Sequence, residues 1–242
     1  LGGFLLGAAL MDYTTYVSDI AQLMTVDASD PDFLAILTAI INAGEQRIYR
    51  ELDFLATVVT DDSLTLAANA RKLTIPTDFI VVNAIGVITP AGATYETGEL
   101  KPLTPVSVDY INAVWPSTQG ASVPTVFAML TQWDALIGPA SDDAYAVHVI
   151  GTQRPEPLSA ANSTTFLTQY LYDLFLASSM IFGAGYQRDF GAQSDDPRLA
   201  ASWQQQYDAL KTPALVEEAR KKFQSSAWSS MSPAPAATPS RG

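Results

Sequence analysis

The chain has 242 residues, is 48% apolar and carries a formal net charge of −12. That length can bury a sizeable core, as one large domain or two small ones, and the apolar content excludes disorder outside the ends. Acids outnumber bases 8 to 2 in residues 1–55 and 10 to 4 in residues 56–157, then balance at 7 to 7 in residues 158–242. Such a distribution offers no basic groove for gripping nucleic acid. With no cysteine there is no disulfide framework, thiolate nucleophile or cysteine-built metal site, which suits a reducing compartment.

Residues 1–10, LGGFLLGAAL, are apolar, have no basic residue before them and run directly into Met11. A bilayer span takes about 20 residues, and the charged start and A-x-A-like end of a signal peptide are both lacking. The expectation is an extension upstream of a natural start at Met11, with an apolar arm that docks on a neighbour as the alternative. From Tyr13 onward, apolar residues recur at helical spacing through Val17, Ile20 and Met24. A second, long helix opens with Asp30 as cap, Pro31 at its first position and Asp32 in its first turn. Its stripe runs Leu37, Ile41, Gly44, Ile48, Leu52, Leu55. Gly44 in that stripe predicts close approach by a neighbouring backbone.

From Thr57 short β-branched runs broken by turn residues take over. TVVTDDSLTLA predicts a hairpin through Asp61-Asp62-Ser63, and similar runs continue to about residue 157. Residues 103–116 are the exception and predict a short helix between strands. Near residue 158 the helical period returns, with Phe166, Tyr170, Leu174, Ser178, Ile181 and Phe182 on related faces. Asp195-Asp196-Pro197 repeats the earlier Asp-Pro start and opens a last helix that Pro213 should kink or divide. After Trp228, SSMSPAPAATPSRG is a Ser/Pro/Ala tail that cannot build a core.

These elements predict the α+β class. Residues 11–56 and 158–226 would form one helical bundle. Residues 57–157 would form an inserted antiparallel β domain, a sandwich or small barrel. The extension 1–10 and an arm 227–242 complete the chain.

Candidate chemistry is thin. Glu45 and Glu51 are six positions apart, which turns them roughly 120° from one another around a helix, so they cannot converge on one substrate from that helix. Arg47 with Glu51 and Arg50 with Asp53 read instead as pairs on solvated faces, worth a few tenths of a kcal/mol each. His148 is the single histidine; alternation of Tyr145, Val147 and Val149 with Ala146, His148 and Ile150 gives it a ladder position in a strand. One histidine builds no zinc cluster, and no G-x-S-x-G elbow supports a serine triad.

GAGYQR, residues 183–188, has two glycines of a dinucleotide fingerprint but Arg188 in place of the third, and it ends a helix rather than joining strand to helix. Asp61-Asp62, Asp142-Asp143 and Asp195-Asp196 lack EF-hand spacing. EEARKK, residues 217–222, sets acids before bases along a helix, and its basic end is a candidate contact for phosphate or for a partner. No catalytic, cofactor-binding or metal-binding residue emerges, no cofactor is expected, and the chain is not expected to be an enzyme.

The stretches YVSDIAQLM, INAGEQRIYRELDF, LTQYLYDLFLASSMIFGAGYQRDFGAQSDDPRLAASWQQQYDAL and EEARKKF together resemble the head-to-tail adaptor proteins of short-tailed bacteriophages, also called tail tubular protein A-like or gatekeeper proteins. The similarity covers Met11 to Leu55 and Leu158 to Gln224. It implies a homo-oligomeric ring, a dodecamer, between the portal protein and a tail nozzle (tail tubular protein B-like) protein. Genomic DNA would pass through that ring without sequence-specific binding. It also implies a virion neck component assembled in the host cytoplasm, with no membrane partner. Interface candidates are Arg47, Arg50 and Glu51 in the first helical part and Arg220, Lys221, Lys222 and Trp228 in the second. Rival readings are a tail-associated cell-wall glycosidase, which needs two carboxylates about 5–10 Å apart in a cleft, and a monomeric binding module or head-completion protein.

Overall fold

The structure is a computed structural model that describes residues 11–187 and 197–226. In chain order the elements are α1 (Tyr13–Met24), α2 (Pro31–Glu51), a 3-10 turn (Leu55–Thr57), β1 (Val58–Leu66), β2 (Lys72–Thr74), β3 (Phe79–Thr89), β4 (Glu99–Pro102), β5 (Thr104–Pro105), α3 (Val108–Val114), β6 (Val126–Met129), β7 (Asp134–Gly138), β8 (Tyr145–Gln153), α4 (Phe166–Tyr170), α5 (Tyr172–Gln187) and α6 (Pro197–Ser226). The class is α+β. Contacts divide the chain into two compact units, one running up to Leu55 and again from Glu156, the other Ala56–Pro155.

The helical unit begins where Asp12 accepts the Thr15 N–H at 2.9 Å and starts α1. Thr25, at a left-handed φ of 57°, ends that helix. Asp30 caps α2 through the N–H groups of Asp32 and Phe33, at 2.8 and 3.3 Å, with Pro31 in the first turn where its missing N–H does no harm. Ile20 and Met24 of α1 share one buried cluster with Leu37, Ile41 and Ile48 of α2 and with Leu174 and Phe175 of α5. Full burial of each such side chain contributes roughly 1.5–3 kcal/mol. Tyr16 stacks on Phe175 at 4.5 Å and meets the Ser179 hydroxyl at 2.7 Å. A Cβ on Gly44 would stand 2.5 Å from Ser179 Oγ and 3.2 Å from its Cα, so the bare glycine is what lets α5 approach α2 there. The Ser178 hydroxyl donates to the Gly44 carbonyl at 3.0 Å across the same contact.

The β unit holds two open four-stranded sheets, ordered β1-β8-β3-β4 and β2-β7-β6-β5. Ile85, Val87, Val147 and Val149 of the first share a core with Leu73, Phe127 and Ile137 of the second, the arrangement of a sandwich rather than a closed barrel. α3 lies against the second sheet through Ile111, Ala128 and Leu136.

Several expectations are corrected. The β region is not wholly antiparallel, because β5 runs parallel to β6. No hairpin turns at Asp61-Asp62-Ser63; β1 passes straight through as one strand with a register shift between Asp61 and Leu64. Turn-forming residues there make a bulge because the flanking stretches both pair with β8. The helix within 103–116 is confined to Val108–Val114, since Thr104 and Pro105 join a sheet. Pro213 does not divide α6, which continues as one helix through it.

Candidate assembly surface

The end of α2 is tied to the middle of α6 by a network centred on Glu51. Its Oε1 accepts Arg47 Nε at 2.9 Å, and its Oε2 accepts Lys211 Nζ at 2.7 Å and the Tyr207 hydroxyl at 3.2 Å. The Arg47 guanidinium also lies over the Tyr207 ring, 4.3 Å from its centroid. Burial works to raise the Glu51 carboxyl, but the hydrogen bonds from Lys211 and Arg47 outweigh it and hold the group below its ordinary range. Tyr207 moves the other way, pushed up by burial and then by the facing Glu51 charge.

Further along α6, buried Glu218 accepts the Leu55 N–H at 3.0 Å through Oε2 and Lys221 Nζ at 2.7 Å through Oε1. Lys221 also pairs with Glu217 at 2.7 Å, and these two carboxylates hold its ammonium above the ordinary lysine range. Its Nζ stands 5.4 Å from the centre of the Phe166 ring. Lys222 pairs with Asp53.

The candidate residues therefore separate. Arg47, Glu51, Lys221 and Lys222 are engaged within the unit. The Arg47–Glu51 pair forms as expected, but Arg50 does not reach Asp53; it donates to Gln46 at 3.1 Å. Helical spacing fails between Arg50 and Asp53 because the helix ends at Glu51 and Leu52 is extended. Arg220 is exposed, with no ion pair among the described residues. Trp228 lies outside the described residues.

α6 has two unlike faces. Tyr207, Ala214 and Glu218 are buried, while Leu215 and Val216 are exposed and Phe223 is 70% exposed. Val216, Ala219, Arg220 and Phe223 follow at i, i+3, i+4 and i+7 and so form one outward stripe. Sequence reasoning passed over Leu215, Val216 and Phe223, although their offset from Ala214 and Glu218 was a readable signal. Tyr207 and Lys211 were also missed, because their partner Glu51 stands far away along the chain.

Glu45 and Glu51 are not brought together: Glu45 is buried and accepts the Leu158 N–H, and Glu51 belongs to the network above. In the β unit an open cleft of about 790 Å³ is lined by Thr89, Pro90, Glu99, Lys101, Asp143 and Tyr145 among others. Its acids Glu99 and Asp143 are both exposed. Among the described residues no group of three or more histidines and acids is placed to hold a metal ion. Gly183 of GAGYQR sits inside α5, where an added Cβ would meet Met24 Sδ at 3.2 Å, which is helix packing rather than a phosphate loop. Arg188 and Asp195-Asp196 lie outside the described residues. No helix among those described is long and apolar enough to cross a membrane.

No curated protein matches the chain. The family model described as SU10 adaptor protein matches residues 11–234, a span that takes in both helical segments and the whole β unit. The chain belongs to the SU10 adaptor protein family of phage head-to-tail adaptors and is a structural component of the virion neck.

Proposed function

We propose that this adaptor forms a dodecameric ring that joins the portal protein to the tail nozzle and surrounds the channel through which the genome passes. The outward stripe of α6 is the observation that carries the reading. Leu215, Val216 and Phe223 stand exposed beside Arg220 on a helix whose other face is fastened to the bundle. Aromatic and arginine side chains on a rigid helix are what interface centres favour, since little freedom is lost on docking. The portal docks on that stripe, and the arm 227–242 with Trp228 extends the contact.

A ring closes only if each copy carries two different patches; exposed Arg50 at the end of α2 belongs to the second. The net charge of −12 suits a channel, because an acidic wall repels phosphate and lets DNA slide. The role is structural, without catalysis, and assembly takes place in the host cytoplasm before the ring enters the virion.

Mixing the chain with portal rings and weighing the product by light scattering tests this. The wild type should give a stoichiometric complex. Phe223→Asp should weaken it by about tenfold or more with an unchanged melting temperature. A variant that binds like the wild type would remove α6 as the docking face, and absence of any wild-type complex would sink the portal-joining role itself.

A further inference from the structure

The bulge in β1 is built around the single histidine. Asp61 stands opposite Val149 and Leu64 opposite Val147, so Asp62 and Ser63 together oppose His148. Asp61 holds the bulge in shape, its Oδ1 accepting the Ser63 N–H at 2.8 Å and the Ser63 hydroxyl at 2.6 Å. The bulge re-aims Asp62, whose carboxylate pairs with His148 Nδ1 while remaining partly in water. Tyr145, Val147 and Val149 point into the core between the sheets, so alternation turns His148 to the outer face of the first sheet. Even so, it is only 5% exposed. Tyr95, from the loop joining β3 to β4, covers it with ring centroids 4.6 Å apart and planes at 24°.

The same loop has an ordered fold of its own, with Gly98 N–H on the Thr94 carbonyl at 2.9 Å and Thr94 N–H on the Thr97 hydroxyl at 3.0 Å. Its residues Pro90, Ala91, Thr97 and Gly98 form one wall of the 790 Å³ cleft.

We propose that His148, Asp62 and Tyr95 form a proton-operated clasp that fastens the β3–β4 loop over the first sheet and thereby sets that wall of the cleft. Among the described residues, two groups face the ring, the Asp62 carboxylate from β1 and the Tyr95 π face from the loop. Both attract a cation. Across the strand pair β3 presents Gly86, which has no charge to add. Glu96, the next loop residue, is exposed, and Asp61 is engaged by Ser63. A protonated imidazole is held by both partners as a cation. A neutral one keeps only a hydrogen bond to Asp62 and an ordinary ring contact, so the loop is tighter on the acid side and looser on the alkaline side. Histidine is the side chain suited to such a change between about pH 5 and 8.

Because the chain has one histidine, its ring C–H resonances are unambiguous in NMR spectra of the full chain. As pH is lowered, the Tyr95 ring and the amides of Ala93, Thr97 and Gly98 should shift together with the His148 signals in a single step. Asp62→Asn, which removes the anionic partner of the ring, should shrink the loop's step, and His148→Gln should abolish it. Loop signals that stay still while the His148 signals move would overturn the clasp, as would an Asp62→Asn variant whose loop signals move as far as those of the wild type. If Asp62→Asn does not fold, the wild-type titration decides alone.

Discussion

Glu45 accepts the Leu158 N–H through both carboxylate oxygens, at 3.1 and 3.3 Å, inside the buried core of the helical unit. The bond fixes the place where the chain returns to that unit after the β strands. Glu45 is only 4% exposed, and among the described residues no cation pairs with it. Burial pushes its carboxyl up to about 7, against the pull of the Leu158 N–H.

A pH dependence of stability follows. The folded value of about 7 lies above the ordinary 4.5, so between these limits the folded chain keeps a proton that the unfolded chain has released. Stabilisation linked to Glu45 is therefore full below the lower value, declines as pH rises through the window and is lost above the upper one. Urea midpoints measured at several pH values across the window should fall more steeply with pH for the wild type than for Glu45→Gln. Parallel curves would contradict this account.

Gly44 sets the distance between α2 and α5. Because a Cβ would stand 2.5 Å from Ser179 Oγ and 3.1 Å from Ser179 N, even a small side chain must move backbone as well as a hydroxyl. Gly44→Leu should destabilise by about 1–3 kcal/mol through overpacking, although leucine is the better helix former. An unchanged melting temperature would mean that the two helices separate there at no cost.

The long-range side chains explain what could and could not be read in advance. The buried stripe of α2 was legible from Leu37 to Ile48, because Asp30 and Pro31 fix its start and its spacing keeps one face inward. The close contact at Gly44 was legible for the same reason. The end of the stripe was not legible: it was expected at Leu55, but the helix stops at Glu51 and Leu55 is exposed in the 3-10 turn. Arg47–Glu51 was legible as a local pair, but Lys211 and Tyr207 reach Glu51 from α6, and helical spacing carries no information about them. Asp53 was assigned to Arg50 by assuming that the helix continued; the extended backbone at Leu52 frees Asp53 for Lys222 instead. Around His148 the turn residues Asp61-Asp62-Ser63 looked like a hairpin, because a bulge and a turn use the same residue types. Only the pairing of both halves of β1 with β8 separates the two.

The last prediction concerns Glu218, the buried acid that joins α6 to the chain just beyond α2. Its Oε2 is the acceptor for Leu55 N–H and its Oε1 the acceptor for Lys221 Nζ. Glu218→Ala removes both and leaves the Leu55 N–H without that partner, which should cost about 1–3 kcal/mol. Glu218→Gln keeps an oxygen for Leu55 while giving up the charge, and Lys221 still has Glu217 at 2.7 Å. The glutamine variant should therefore lose clearly less than the alanine variant in urea unfolding. Equal losses would show that the charge, rather than the bond to the backbone, is what Glu218 contributes. An alanine variant as stable as the wild type would show that the Leu55 N–H finds another acceptor once α6 releases it.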